Sequence, residues 1–451
     1  MNDRVERTEE GEIMRIDFGR CWKLPVCVGV VVACLFTFNL SVLAQGQETA
    51  LTQKLTEAEK DYFISVYKDT WDYLGNFVDP WTGLPYDSSA RQPATSISNV
   101  GLYMVSAVIA YRTNLISKAE AQKRIEHCLD GLEKIETWRG IPRPWFLIRS
   151  LKPTYGDEFS YGPHVANLLA GLLVSKTIFP EMAPRIDRFI LNMDLRSFYD
   201  VQTCWLKGGY NVKTENFAIF QPWGHWYYKY FASEIRFLSF YLIARELVPP
   251  EHWFSLIRPV QEKEGETFFV SGYEEGGLFR QYLTSIFLDE RDNEMGRSQK
   301  AYARFQMKHA KKIRAPVWGW SSSQAPNGRF LGYGELQDGI VAPYASMLAS
   351  VYFPKEAYRN LRKLEARGAR PTSFGFRDAI NWKTKSVSKN YLTVNQAMGF
   401  LSLANLLYDG IVWKSFQENP LIGRGFEVIL QSEKATARIA MEEYQLEEGA
   451  A

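Results

Sequence analysis

Apolar residues recur three and four positions apart in long runs of this chain, and strictly alternating stretches are few. That spacing is typical of α-helices with one buried face. It predicts helices over residues 56–77, 98–112, 117–136, 165–176 and 228–246, and further helices that begin near Glu251, Glu275, Met295, Ala342, Pro354, Asn395 and Leu421. Thr56 and Ser117 fit the N-cap position, and Pro354 fits a first helical turn. The pattern therefore predicts an all-α protein of about a dozen helices.

Long segments rich in glycine, proline and aromatic residues separate these helices, at 80–91, 138–163, 203–226, 259–277 and 316–339. Loops of that length in a compact domain usually carry function. No linker or charged run divides the chain, so one domain is expected over residues 45–430, followed by a frayed acidic tail over 431–451. A closed ring of helical hairpins would gather the loops around one cleft, but periodicity alone does not separate a ring from a solenoid.

The N-terminal region has the layout of an export signal. Residues 26–43 are almost wholly apolar, follow Arg20 and Lys23, and lead into Ala44. This predicts a cleaved signal peptide over residues 1–44. An uncleaved anchor is the alternative, because 18 residues nearly suffice to span a bilayer, and residues 26–43 would then tether the protein to a membrane. Both alternatives predict a periplasmic or secreted domain.

Charge and motif content exclude several classes of function. The chain has 53 Lys plus Arg against 51 Asp plus Glu, without a basic block, so a nucleic-acid partner is not expected. Its histidines and cysteines lack metal-ligand spacing, and it has no glycine-rich phosphate loop and no Gly-x-Ser-x-Gly. We therefore expect neither a metal nor another cofactor. Cys128 and Cys204 are either one disulfide or two buried thiols.

Carboxylates set among aromatic residues in the loops are the remaining candidates for chemistry. Hydrolysis of a glycosidic bond needs one carboxyl to protonate the leaving oxygen and a second group to activate water or attack the sugar. Apolar surroundings raise the pKa of such an acid, so that it still holds a proton near neutrality. The candidates are Asp157, Glu158, Glu234, Glu335, Asp338 and Asp378.

Each candidate also has an ordinary structural explanation. Glu234, expected in the opening turns of a helix, could pair with Arg236 or Lys229, and the Asp157–Glu158 pair could be solvated loop acids. Trp318 and Trp320 could be core residues instead of platforms for a sugar ring. His164 could be a helix cap or a core contact.

Ordered segments of the chain resemble the bacterial glycoamylase-like domain family, which includes exported endo-β-1,2-glucanases and domains of cyclic β-1,2-glucan synthases. The similarity runs from about residue 55 to 430 and implies an (α/α)6 toroid that hydrolyses a glucan with inversion. The segments that carry it are 95–103, 129–140, 167–172, 250–254, 340–346, 360–365, 374–378 and 395–398.

The resemblance also implies roles for individual residues. Glu234 matches a Glu in the central helix of the glucanases, and Glu158, next to Asp157, is the counterpart of an earlier Glu. Two positions depart from the family, with His164 and Asn395 where relatives carry Asp. An amide cannot act as a general base at neutral pH, although it can orient water or a sugar hydroxyl. The residues expected to bind substrate are Tyr161, His164, Trp318, Trp320, Glu335, Asp338, Asp378, Asn395 and Gln396.

Three hypotheses follow from these observations. The first is an active glycosidase that uses Glu158 and Glu234. The second is a degenerate toroid that binds glucan without cutting it, which Asn395 and His164 favour. The third is an envelope protein that uses the cleft to bind a partner.

Overall fold

The computed structural model describes residues 51–52, 55–154, 162–211, 227–271, 277–331, 339–371 and 373–432, and the backbone alone of 158–160 and 216–217. The expected signal peptide and nearly all of the acidic tail lie outside these residues. The helices of the described chain are α1 Glu57–Asn76, α2 Ile97–Arg112, α3 Lys118–Leu132, α4 Gly162–Ile178, α5 Ala183–Leu191, α6 Arg236–Ala244, α7 Glu251–Ser255, α8 Gly277–Tyr282, α9 Glu294–Lys312, α10 Pro343–Ala349, α11 Pro354–Glu365, α12 Thr393–Leu407, α13 Ile411–Gln417 and α14 over 420–432.

The even-numbered helices from α2 to α12 form an inner ring, and the helix that precedes each of them lies outside it. α2 packs along α4 on one side and along α12 on the other, so the last inner helix meets the first. α3, α9 and α11 pack behind α2, α8 and α10, and α1 packs behind both α12 and α2. This closed arrangement confirms the predicted (α/α)6 toroid and rules out an open solenoid.

Local sequence explains why the outer helices form. Thr56 and Glu59 make a capping box at the start of α1, since each side chain accepts a hydrogen bond from the other's backbone N–H. α11 begins at Pro354, and it buries Ala357, Leu361 and Leu364, which recur at helical spacing. Its other face is charged. The inner helices have no such stripe, because both sides of the ring cover them.

The backbones of α2 and α4 approach each other closely at two glycines, Gly101 and Gly171. A Cβ added to Gly101 would lie 2.1 Å from the carbonyl oxygen of Asn167, and one added to Gly171 would lie 2.5 Å from the carbonyl oxygen of Gly101. Any side chain at either position would push the two backbones apart. The two glycines therefore set the tightest contact of the inner ring.

The long loops contain short strands that the sequence pattern did not predict. In the described chain they form sheets of two or three strands. The strands are β1 Ala94–Ser96, β2 Thr137–Trp138, β3 Ile141–Pro142, β4 Trp145–Leu147, β5 Glu158–Ser160, β6 Tyr199–Asp200, β7 Trp205–Lys207, β8 Gly209–Asn211, β9 Asn216–Phe217, β10 Tyr227–Tyr228, β11 Val260–Lys263, β12 Glu266–Phe269, β13 Ser323–Gln324, β14 Phe330–Leu331, β15 Ile340–Val341 and β16 Ile380–Asn381.

One predicted helix boundary is wrong because of this strand pairing. The helix expected from residue 228 begins only at Arg236, since Tyr227 and Tyr228 pair with Lys207 and Leu206 of β7. The sequence analysis also missed α5 and α13. Cys128 and Cys204 are buried and form no disulfide. Within the described residues no single helix is both long and apolar enough to cross a membrane, although α4 and Pro180–Leu191, bent by 119°, meet that test as a pair.

Candidate active site

The N-terminal ends of the six inner helices meet along one rim of the toroid. At α2 and α12, Asp87 bridges both helices: its carbonyl oxygen accepts from the N–H of Thr393 (2.9 Å), and its carboxylate accepts from Asn99 (2.8 Å). Between α2 and α4, the loop before α4 contributes the Pro144 carbonyl to the N–H of Ile97. The loops before α2 and α4 therefore each reach the start of a neighbouring inner helix.

The same chain of contacts continues around the other half of the rim. The hydroxyl of Ser321 accepts from the Phe279 N–H of α8 (2.9 Å) and lies 2.8 Å from the phenol oxygen of Tyr344 in α10. The Ser322 carbonyl accepts from that phenol and from Asn395 of α12. Polar side chains from distant parts of the sequence thus gather on one rim, as the notion of a single cleft requires.

A buried carboxyl, Asp378, lies beneath this rim where α12 begins. Its side chain is 1% exposed. Asn395 donates to Oδ1 (2.8 Å), and the backbone N–H of Gln324 donates to Oδ2. Burial raises the pKa of Asp378 to about 7, against the opposing effect of these hydrogen bonds. A carboxyl in this position is protonated for part of the time at neutral pH.

Two amide oxygens beside Asp378 have no protein partner in the described part of the chain. Asn395 and Gln396 are both nearly inaccessible, and their amide nitrogens donate to the carbonyls of Ser322 and Phe376. Their side-chain oxygens, however, accept no hydrogen bond. Buried acceptors normally have a donor, so these two oxygens can accept one from a bound water or hydroxyl.

Glu234 occupies the rim between α6 and α8. It lies in a turn two residues before α6, and its carboxylate pairs with Arg280 of α8 at 3.5 Å. The two side chains are 15% and 12% exposed. Pairing with Arg236, one of the two ordinary explanations considered for Glu234, does not occur, because that guanidinium lies in the core against Glu290. Glu234 therefore stays at the rim, held by the neighbouring inner helix.

His164 lies in the first turn of α4, with its ring edge-on to Trp145 at 5.9 Å. Its Nδ1 is buried and meets no partner within the described residues. Loss of hydration lowers the pKa of His164 to about 4, so the ring is neutral at physiological pH. It can give or take one hydrogen bond but adds no charge to the rim.

The two tryptophans expected to bind sugar are core residues. Trp320 is fully buried and meets the ring of His309 edge-on at 5.5 Å. Trp318 is 7% exposed, and Asn360 clamps its backbone through two hydrogen bonds. Neither ring has a face open to a substrate, because the packing of α9 and α11 covers both.

Several expected site residues lie outside what the structure describes. Asp157, Tyr161, Glu335 and Asp338 fall in undescribed segments, and for Glu158 only the backbone is described, in β5 opposite Asn211. Their roles stay predictions. Among the described residues no cluster of histidine, cysteine and carboxylate side chains could hold a metal ion.

The sequence analysis assigned no role to Asp87, which the structure places in the same cluster as Asp378 and Asn395. Two signals could have found it. It lies in a long aromatic loop, and the Thr95–Tyr103 segment that follows carries Asn99, its hydrogen-bond donor.

Comparison with known proteins gives two family matches. Residues 241–420 match the glycoamylase family, described as "Putative glucoamylase". Residues 65–251 match a family described as a protein of unknown function, DUF3131. The chain is also 29% identical over 233 residues to the cyclic β-(1,2)-glucan synthase NdvB of Rhizobium meliloti, which covers 46% of the chain but only 8% of that much longer protein.

Solved structures share the toroid at low sequence identity. A protein of Bacteroides uniformis described as a "putative glucoamylase" matches with a TM-score of 0.73 and 15% identity, over 83% of this chain and 98% of that one. An endo-β-1,2-glucanase of Chitinophaga pinensis, solved with sophorotriose and glucose, matches with a TM-score of 0.68 and 16% identity, over the same shares. These matches confirm the fold.

Proposed function

We propose that this chain, whose residues 241–420 match the glycoamylase family, is a glycoside hydrolase that acts on a glucan. The observation that carries the proposal is the rim, where Glu234 and the half-buried carboxylate of Asp87 lie among polar side chains at the ends of different inner helices. Hydrolysis of a glycosidic bond needs two such carboxyl centres, one on each side of the scissile bond.

A β-1,2-glucan is the substrate we favour. The support comes from what the related proteins act on: NdvB is a cyclic β-(1,2)-glucan synthase, and the Chitinophaga pinensis protein is an endo-β-1,2-glucanase. The chemistry of the rim agrees with a neutral, hydroxyl-rich ligand. The amide oxygens of Asn395 and Gln396 are acceptors for hydroxyl groups, and the neutral ring of His164 can share one hydrogen bond.

We assign proton transfer to Glu234, with Glu158 and Asp157 as the companion carboxyls that the sequence suggests. Glu234 is supported by its place at the rim and by its ion pair with Arg280, which fixes the orientation of the carboxylate. Inversion is the expected outcome, since it follows from the family resemblance and needs only an acid and a base.

Binding without cleavage is the second candidate function. Asn395 favours it, because this amide stands where relatives carry Asp and accepts no proton at neutral pH. The same side chain would still orient a hydroxyl group.

The decisive experiment measures reducing ends released from β-1,2-glucan and from a panel of other glucans by the purified chain and by Glu234→Gln. The substitution keeps the shape of the side chain but removes its proton, so the rate should fall on the order of 10²-fold. Glu158→Gln is the companion variant.

Asp61→Asn, an exposed change on α1, is the control and should keep the parental rate. A chain that binds β-1,2-glucan in calorimetry but releases no sugar would identify the second function. If both glutamine variants cleave at the parental rate, the assignment of these two carboxyls is wrong.

We also propose that the domain works outside the cytoplasm, in the periplasm or as a secreted protein. The support is the apolar run over residues 26–43. Cell fractionation with N-terminal sequencing tests it, and recovery of cytoplasmic protein with this run intact would refute it.

A further inference from the structure

The carboxyls of the rim differ in what they can touch. Asp378 is 1% exposed, and both of its oxygens accept hydrogen bonds from the protein. It therefore cannot reach a substrate. Asp87, on the rim above it, is half-buried and faces a less enclosed environment.

The position of Asp87 is fixed from two sides. Its backbone carbonyl accepts from Thr393 at the start of α12, and the next residue, Ser88, forms a β-bridge with Leu392. On the side chain, Oδ1 accepts from the amide of Asn99 in α2 at 2.8 Å. Within the described chain Oδ2 has no hydrogen-bond donor. A carboxylate held by one oxygen, with the second available, can accept a proton from a bound molecule.

An unpartnered acceptor lies beside Asp378, whose pKa the charge of Asp87 helps to raise. Asn395 is 1% exposed, and its Nδ2 donates to Asp378 and to the Ser322 carbonyl, while its Oδ1 has no partner in the described residues. A buried oxygen without a donor is a site for a water or a hydroxyl group. It is an observation independent of the carboxylates, and it points to a ligand in the same place.

We propose that Asp87 is the catalytic base of the glycoside hydrolase, with Asn99 as the positioning residue that orients it and Asn395 as an acceptor that holds the attacking water. This assignment rests on the proposed function. The oxygen of the water bonds to the anomeric carbon as its proton passes to Asp87. The glycosidic C–O bond breaks, and the leaving oxygen takes the proton of Glu234. Solvent then returns the proton from Asp87 to Glu234.

Electrostatics agree with this division of roles. Burial raises the pKa of Asp87, and the hydrogen bond from Asn99 opposes that rise. The negative charge of Asp87 helps to raise the pKa of Asp378, and both carboxyls act on the phenol of Tyr73. The charge of Asp87 therefore disfavours ionisation of Asp378, and of the two carboxyls the fully buried Asp378 holds its proton more readily.

The test compares kcat, KM and glucan affinity in the purified parent and in Asp87→Asn. This substitution preserves shape and removes the base, so kcat should fall on the order of 10²-fold or more while the dissociation constant stays within about threefold. Asn99→Leu, which removes only the orienting amide, should lower kcat by about tenfold with KM nearly unchanged. Asp72→Asn on the exposed face of α1 is the matched control and should keep all three values.

The outcomes separate this assignment from the proposed function. If the parent cleaves glucan and Asp87→Asn cleaves it at the same rate, Asp87 is not the base. The proposal that the chain is a hydrolase would then still stand. Loss of affinity at unchanged kcat makes Asp87 a binding residue, which also overturns its role as the base. A parent that is inert on every glucan refutes the hydrolase and the base with it.

Folding of the variant is checked by its thermal unfolding midpoint. If Asp87→Asn does not fold, Asp87→Glu replaces it, because it keeps the charge but moves the carboxylate by one methylene. That variant should lose about tenfold in kcat, and a parental rate would overturn the proposal.

Discussion

Two buried polar regions of this toroid differ in how completely their groups are paired. One is the rim cluster of Asp378, Asn395 and Gln396, where two amide oxygens accept nothing. The other is an ionic network between α6, α8 and α9, centred on Arg236 and Glu290, which are 0% and 1% exposed. Both are enclosed to the same degree, yet only the network satisfies nearly all of its groups.

Hydrogen bonds and an ion pair between several segments hold this network together. Glu290 accepts from Arg236 and from the hydroxyl of Ser285, while Arg236 also donates to the Phe231 carbonyl at 3.3 Å. Gln299 donates to the Gln281 carbonyl (2.7 Å) and accepts from Tyr352 (2.7 Å). Among the described residues, the side-chain atoms of this network that lack a partner are Nε of Arg236 and Oε1 of Gln281.

This difference distinguishes a structural polar cluster from a site. Burying a polar group is costly unless a protein partner replaces its lost water, so a network in which the buried charges have several protein partners serves the folded state. The unpaired side-chain oxygens of Asn395 and Gln396 destabilise the folded state, but they can accept hydrogen bonds from a bound ligand.

The largest effect should come from breaking the network. Arg236→Met leaves the Glu290 charge buried without its partner and should lower the free energy of unfolding by about 3–5 kcal/mol. Urea denaturation measures it. Lys60→Met, which breaks the exposed pair with Glu57, is the control and should change stability by less than about 1 kcal/mol. A small effect at Arg236 would contradict the view that this network is structural.

At the rim, removing a carboxyl should change how stability depends on pH. The pKa of Asp378 is about 7 in the folded chain and about 4 when unfolded, so between these values the folded state binds more protons and stability falls as pH rises. Asp378→Asn should remove this loss, on the order of 2–4 kcal/mol between pH 4 and pH 7. Denaturation at several pH values measures the slope, which Asp61→Asn should leave unchanged. An unaltered slope in Asp378→Asn would contradict the burial argument.

The smallest effect should come from two histidines, because one of them has protein partners on both ring nitrogens and the other has a buried nitrogen without one. The pKa of both His164 and His252 is lowered to about 4 by burial, so each favours unfolding as pH falls from about 6.5 to 4. His252 is bonded on both nitrogens, to the Cys204 carbonyl (2.8 Å) and to Ser239 (2.9 Å), whereas Nδ1 of His164 has no partner in the described chain.

His252→Phe should therefore cost about 1–3 kcal/mol at pH 7, since the buried hydroxyl of Ser239 loses its partner and the Cys204 carbonyl keeps only its bond from Ser255. His164→Phe keeps the edge-on contact with Trp145 and should cost less than about 1 kcal/mol. Thermal unfolding of the two variants at pH 7 checks the order. Equal losses would mean that pairing of the ring nitrogens does not decide the cost.

Much of the fold followed from local sequence. The 3.6-residue spacing and the caps at Thr56 and Ser117 predicted α1 and α3 closely, because a helix is stabilised by contacts between near neighbours in the chain. The start of α6 could not be predicted from the local sequence. Tyr227 and Tyr228 had the spacing of helical residues, but pairing with β7 placed them in a strand.

The spacing of apolar residues predicted the helices. The family resemblance predicted that they close into a ring and that Glu234 lies by the start of a helix, which the structure places two residues after it. Only the tertiary structure decided that Trp320 belongs to the core, and that Asp87 joins Asp378 and Asn395 in one cluster. The reason is physical. Helix formation depends on residues three or four positions apart, whereas burial and hydrogen-bond pairing depend on which distant segments the closing ring brings together.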